Sequence, residues 1–311
     1  MRVATVTLNA AIDQTVWISG FQLNAVNRAQ EMQIEASGKG VNVASFLTDS
    51  GIATTTVTGY LGQDNADLFE QFFASKHIED RFVRIPGRTR INVKIVDDMN
   101  KQSTDLNLPG LAPPEKALET LLETLGHLIT SCDWFVLSGS LPPDAPLTSY
   151  ATIIRYLRQH QKHIVLDTSG DALREGVLAG PTIIKPNIDE LQSLAGHPLP
   201  DETAIHMSAR HVLNESIQLV AVSMGERGAL FVDKDNAVLA VPPIIRVTRT
   251  AGAGDAMVAG LVVGQIQGLN LLDSAKLATA FSMGAITRTG PHLPSREMLQ
   301  SYADSVSVQI I

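Results

Sequence analysis

Arg249-Thr-Ala-Gly-Ala-Gly-Asp255, running straight into Ala256-Met-Val-Ala-Gly-Leu-Val-Val263, decides how this chain is read. The second half is an uncharged apolar run with the character of a buried helix, and the first half sets two glycines immediately before it. The first N–H groups of a helix have no partner within it, and small residues leave them open to an approaching group. The helix dipole adds partial positive charge there, so this mouth suits an anion. Asp255 is ambiguous on its own: it can be a base facing that anion, or one of the Asp residues that commonly cap helices. Two familiar nucleotide motifs do not apply. A dinucleotide fingerprint needs a third glycine where Met257 stands, and the chain around Lys39 lacks the upstream glycine and the Ser/Thr of a Walker A loop.

Outward from that stretch, β-branched strand-like runs alternate with helical ones. Arg2–Asn9, Thr54–Leu61, Trp134–Ser138, Ile164–Thr168, Ile183–Lys185 and Leu219–Ser223 read as strands. Gly38–Leu47, Asn65–Ser75, Glu115–Ile129, Tyr150–Gln159, Asp189–Leu194 and Ala204–Leu213 read as helices. The alternation predicts an α/β fold with a largely parallel sheet covered on both faces, and ligands of such sheets gather at the carboxyl ends of the strands. Two stretches break the pattern, at about 12–36 and 88–108. They predict a small extra β sheet, read either as a lid that excludes water or as edge strands packed for stability. Residues 1–311 are expected to form one domain carrying that insertion.

Four further segments carry polar residues where such a sheet would bind. Ala36-Ser-Gly-Lys-Gly-Val-Asn42 repeats the arrangement of glycines opening a helix, with Lys39 and Asn42 as donors. Ser138-Gly-Ser-Leu-Pro142 ends a buried strand. Ile184-Lys-Pro-Asn-Ile-Asp-Glu190 starts a helix at Asn187, and a capping box would account for Asn187 and Glu190 without any function. Val222-Ser-Met-Gly-Glu-Arg-Gly-Ala229 is a strand followed by a glycine turn. On Gly87-Arg-Thr-Arg-Ile-Asn-Val-Lys94, strand periodicity would put Arg88, Arg90 and Lys94 on one face, a local basic patch suited to a phosphate. The ordinary alternative is a solvated strand.

Together these segments resemble the PfkB-type sugar-phosphate kinases of the ribokinase superfamily over nearly the whole chain, and Gly87–Lys94 resembles the substrate segment of the branch acting on fructose 1-phosphate. The resemblance implies a ribokinase-like fold and ATP-dependent phosphorylation of fructose 1-phosphate at O6. Tagatose 6-phosphate, phosphorylated at O1, is the alternative, and a silent sugar-phosphate sensor is a second. By motif, Asp255 would be the base and Gly252, Ala253 and Gly254 the anion hole. Lys185, Asn187, Ser223, Gly225 and Gly228 would serve ATP, and Glu190 would serve Mg²⁺ through water. Asp13, Gly38, Lys39, Asn42, Arg88, Arg90, Lys94 and Ser140 would hold the sugar phosphate. The resemblance also implies pairing of two chains through the lid. Asp105 stands where the minor 6-phosphofructokinases carry an arginine, which argues against fructose 6-phosphate, and Arg249-Thr250-Ala251 departs from the family's usual Asp-Thr or Ser-Thr approach.

Composition bounds the rest. A chain of 311 residues with 44% hydrophobic content can bury a large core. A net charge of −8 disfavours nucleic acid or an anionic membrane as partner. The N-terminus joins no basic segment to an apolar stretch, so a soluble cytoplasmic protein is expected. Cys132, the single cysteine, reads as a small core residue, and none of the 8 histidines has metal-ligand spacing.

Overall fold

In the strand Trp134–Ser138, Phe135 and Leu137 join one cluster of buried residues while Trp134 and Val136 join another. Successive side chains of a strand point to opposite faces, so a strand apolar at every position must be covered twice. The same division runs through Ile164/Val165/Leu166 and Val220/Ala221/Val222. One cover is built from the helices Ala117–Leu128, Ser149–Gln159, Gly170–Leu178, Ile188–Ala195 and Glu202–Val212. The other comes from Lys39–Ser50, Ala253–Ile266, Leu271–Ile286 and Arg296–Ser305. The computed structural model describes residues 1–245, 252–288 and 290–311, so Arg249, Thr250 and Ala251 of the glycine motif lie outside the described residues.

Among those residues the central sheet has 11 strands. From one edge they run Ser307–Ile310, Ala237–Val241, Ala229–Asp233, Leu219–Ser223, Ile183–Ile184, His163–Asp167, Trp134–Ser138, Arg2–Thr7, Thr54–Gly62 and Glu79–Asp80, with Val83–Ile85 also paired to Thr54–Gly62. Pairing is parallel from Leu219–Ser223 to the Glu79–Asp80 end and antiparallel beyond Leu219–Ser223. The parallel strands therefore deliver Ser138, Asp167, Lys185 and Ser223 to one edge. Cys132 is buried in the first cluster, as its sequence context predicts, and burial pushes its thiol pKa up.

The two stretches that break the alternation form a separate four-stranded sheet in the order Glu31–Ser37, Ala11–Ile18, Arg90–Asp97, Gln102–Leu106. Asp97 ties its turns together, accepting from the backbone N–H groups of Gly20, Phe21, Met99 and Asn100. The strand begins at Arg90, so Arg88 does not alternate with Arg90 and Lys94 on it. Asn65 explains this: it grips the backbone of Thr89 on both sides, donating to its carbonyl at 3.0 Å and accepting from its N–H at 2.8 Å, which holds the approach in a loop.

Candidate active site

The helix Ala253–Ile266 opens on Gly252, whose φ of 89° is in the left-handed region that favours glycine. Gly252 has no side chain to cap with, so among the described residues no side chain caps the first-turn N–H groups of Ala253 and Gly254. Asp255, third in the helix, is buried, and its Oδ2 accepts from Asn42 Nδ2 at 2.8 Å. This carboxylate is therefore not the cap of its own helix. Burial pushes its pKa up and the Asp167 charge adds to that, against the opposing pull of Lys39, Asn42 and Lys185.

Asn42 comes from the other glycine-opened helix, Lys39–Ser50, entered through Gly38 at φ 123°. A side chain at Gly38 would press on Thr7 and the Ala10 backbone, so glycine lets this helix start pack directly against the first strand. Lys39, one residue on, lies 3.2 and 3.1 Å from the two carboxylate oxygens of Asp167. Lys185 reaches Oδ1 of the same carboxylate at 3.3 Å, and Ser138 Oγ donates to Oδ2 at 3.3 Å. Burial alone would raise the Asp167 pKa, but the two lysines hold it below the usual carboxylate range. For Lys39, burial works toward a lower pKa and is outweighed by Asp167, Asp255 and Glu190, which keep it firmly protonated.

Reading the motifs missed Asp167. The signal was present: an acid that directly follows Ile164-Val-Leu166 is a charge at the carboxyl end of a buried parallel strand. Lys185 also meets the mouth of the helix Ala253–Ile266, since a methyl group on Gly254 would lie 3.4 Å from its Nζ.

In the segment expected to serve ATP, Asn187 and Glu190 form a complete capping box, each side chain accepting from the other's backbone N–H at 2.8 Å. Asn187 bridges Ser223, and Ser223 N–H donates to the Pro186 carbonyl at 3.0 Å. The turn beyond carries Gly225 and Gly228 at φ 63° and 86°. A side chain at Gly228 would run into the Ala240 carbonyl.

The sugar-side candidates are less uniform. Asp13 sits between Ser37 Oγ at 2.7 Å and Asn92 Nδ2 at 3.0 Å. The Arg90 guanidinium donates to the carbonyls of Asn9, Ala10 and Leu108, leaving two of its five N–H groups over. Ser140 is exposed and its Oγ accepts from Asn9 Nδ2 at 3.2 Å, while Arg88 is exposed. Lys94 lies 3.6 Å from Asp105 on the neighbouring strand, so part of its charge is spent within the sheet. Among the described residues no three His, Cys, Asp or Glu side chains converge as a metal cage, and no helix is long and apolar enough to cross a membrane.

A glycine-opened helix mouth with a buried acid, facing one lysine from the end of a parallel strand and another from a second glycine-opened helix, is suited to phosphoryl transfer. The profile described as pfkB family carbohydrate kinase matches residues 6–298, and the chain belongs to that family. Among its relatives, 1-phosphofructokinase from Rhodobacter capsulatus is 46% identical over 312 residues, covering 100% of this chain and 98% of that protein. Among solved structures, phosphofructokinase-2 from Escherichia coli in complex with substrates and products matches with a TM-score of 0.91 at 25% identity, covering 98% of this chain and 99% of that one. A Thermotoga maritima structure described as a possible 1-phosphofructokinase matches with a TM-score of 0.90 at 27% identity, covering 100% of both chains.

Proposed function

We propose that this chain transfers the γ-phosphate of ATP to O6 of fructose 1-phosphate, giving fructose 1,6-bisphosphate and ADP. The observation that carries the reading is the state of Asp255: buried at a helix mouth, oriented by Asn42 instead of capping its own helix, and shifted toward easier protonation. A carboxylate so held accepts the hydroxyl proton as the acceptor oxygen attacks, and a raised pKa brings it closer to the pH at which it works. The relative named 1-phosphofructokinase, 46% identical over the full chain, supports fructose 1-phosphate as acceptor. Asp105, paired with Lys94, puts a negative charge beside the sugar side and argues against fructose 6-phosphate.

The residues fit a triphosphate. The N–H groups of Ala253 and Gly254 offer a hole for the transferring phosphoryl group, and Lys185 beside Gly254 adds a full charge at that spot. ATP supplies the phosphoryl group, and Mg²⁺ screens its charge when bound. Glu190 commits one oxygen to the capping box and has a second for a water on the ion, which suits an ion held chiefly by phosphate oxygens. Asp13, fixed by Ser37 and Asn92, would orient sugar hydroxyls, and Gly38, Lys39 and Asn42 would complete the sugar side. Arg88, Arg90 and Ser140 would hold the existing phosphate.

The four-stranded sheet would then close over the sugar as a lid of one kinase domain, and its exposed Met32, Ile34 and Leu106 would meet a second copy of the chain. The deciding assay is coupled ADP release against a panel of ketose and aldose phosphates. Fructose 1-phosphate should show the highest kcat/KM, and a clear preference for tagatose 6-phosphate would reverse the acceptor.

A further inference from the structure

We propose that Asp167 is the positioning anion of this site, its buried carboxylate holding Lys39 and Lys185 together so that their charge meets the phosphates at the mouth of the helix Ala253–Ile266. The inference rests on the kinase reading above and concerns a residue outside the motifs that led to it.

Three elements converge on one side chain. Lys39 arrives from the helix Lys39–Ser50, Lys185 follows the strand Ile183–Ile184, and Ser138 ends the neighbouring strand. Asp167 has no exposed side-chain surface and Lys185 retains 5%. A buried carboxylate needs one cation to balance it. The second lysine also faces Asp255, so the two cations serve two buried carboxylates, and Lys185 lies against Gly254, where an incoming anion meets the first N–H groups of the helix.

The backbone around Asp167 is secured separately. Gly139 N–H donates to the Asp167 carbonyl at 3.0 Å, and Tyr150 Oη and Thr168 Oγ1 both donate to the Gly139 carbonyl, at 3.0 and 2.8 Å. The carboxylate is thus spare as far as the local chain path is concerned. It also acts at a distance. The charged groups facing Asp255 are Lys39, Lys185 and Asp167, while Lys39 faces Glu190 as well, and Tyr150 faces Asp167. Removing the Asp167 charge removes an influence that raises the Asp255 pKa but also releases Lys39 and Lys185, which lower it, so loss of the lysine pair moves the acid limb of kcat/KM to higher pH, whereas lysines that stay in place leave it to move lower.

The test is Asp167→Asn, read by calorimetric titration with a non-hydrolysable ATP analogue, by the pH profile of kcat/KM, and by Tm. Binding of the analogue should weaken about tenfold and the acid limb should shift upward. Tyr150→Phe is the structural control, expected to lower Tm and leave the limb in place. Unweakened binding, or a limb that fails to move upward, in Asp167→Asn overturns the proposal. Tighter binding does so as well, because it would mean that the carboxylate merely competes with phosphate for the lysines. If Asp167→Asn does not fold, the charge-balanced pair Asp167→Asn with Lys39→Met is compared with Lys39→Met alone. A further loss of analogue affinity, read through Lys185, is expected, and equal affinities overturn the idea. Failure of the kinase reading looks different: the unmodified protein would release no ADP with any sugar phosphate, while the analogue titration still reports on Asp167.

Discussion

The helices Ile188–Ala195 and Ala253–Ile266 carry an acid at the same place, the third helical position, and use it in opposite ways. Glu190 reaches back to the Asn187 N–H while Asn187 accepts from the Glu190 N–H, so that helix start satisfies itself. Asp255 follows a glycine that can cap nothing, and it turns to Asn42 on another helix. A closed start contributes stability; an open one keeps donors and a carboxylate for a ligand. The lesson is that the cap residue, Asn in one case and Gly in the other, decides what an acid one turn in can do.

The sharpest way to break this contrast is Asp255→Asn. A loss of kcat on the order of 10² or more is expected, with binding largely kept, and unchanged turnover removes Asp255 from the mechanism. Stability should move the other way. Because the native pKa of Asp255 is raised, ionising it at pH 7 works against the fold, and that penalty disappears as pH falls through the native pKa. Asp255→Asn should therefore raise Tm at neutral pH, and a clear drop would mean that the ionised carboxylate stabilises the fold.

Glu190→Gln probes the closed start. The amide can still accept from Asn187 N–H but holds an ion-bound water less well, so the Mg²⁺ concentration for half-maximal rate should rise about tenfold with Tm nearly unchanged. An unchanged Mg²⁺ requirement in this variant would leave Glu190 as a cap and nothing more. Gly252→Ala forces a side chain to φ 89° and should cost about 1–2 kcal/mol, read by denaturant unfolding. Asn187→Ala, at the foot of the series, should cost about 1 kcal/mol for the lost cap. If the two last effects were reversed in size, the open start would be no more strained than the closed one.

Much of this was legible beforehand. Trp134–Ser138 and Leu219–Ser223 were read with the bounds they have, because strands apolar at every position and ended by turn residues leave little else to be. The helices Gly170–Leu178, Leu271–Ile286 and Arg296–Ser305 and the strands Ala229–Asp233, Ala237–Val241 and Ser307–Ile310 lie outside the elements that the sequence pattern predicts. Leu271–Ile286 had a usable signal in Asn270, whose side chain accepts from Asp273 N–H. The strands Ala229–Asp233 and Ala237–Val241 follow no α-helix, so strand–helix alternation does not mark them, and Ser307–Ile310 follows Arg296–Ser305, a helix that the alternation also leaves out.

The amino-acid sequence by itself determined where helices open on glycine and where on Asn, since φ permission and capping ability are properties of single residues. It also determined the layering, because apolar character at consecutive strand positions demands two covers. Only the tertiary structure decided what each polar group meets. Asn42 and Asp255 are 213 positions apart, and Lys39 and Asp167 are 128 apart. No local pattern encodes such pairs; they exist because parallel strands bring distant segments to the same sheet edge, where burial strengthens every charge left there.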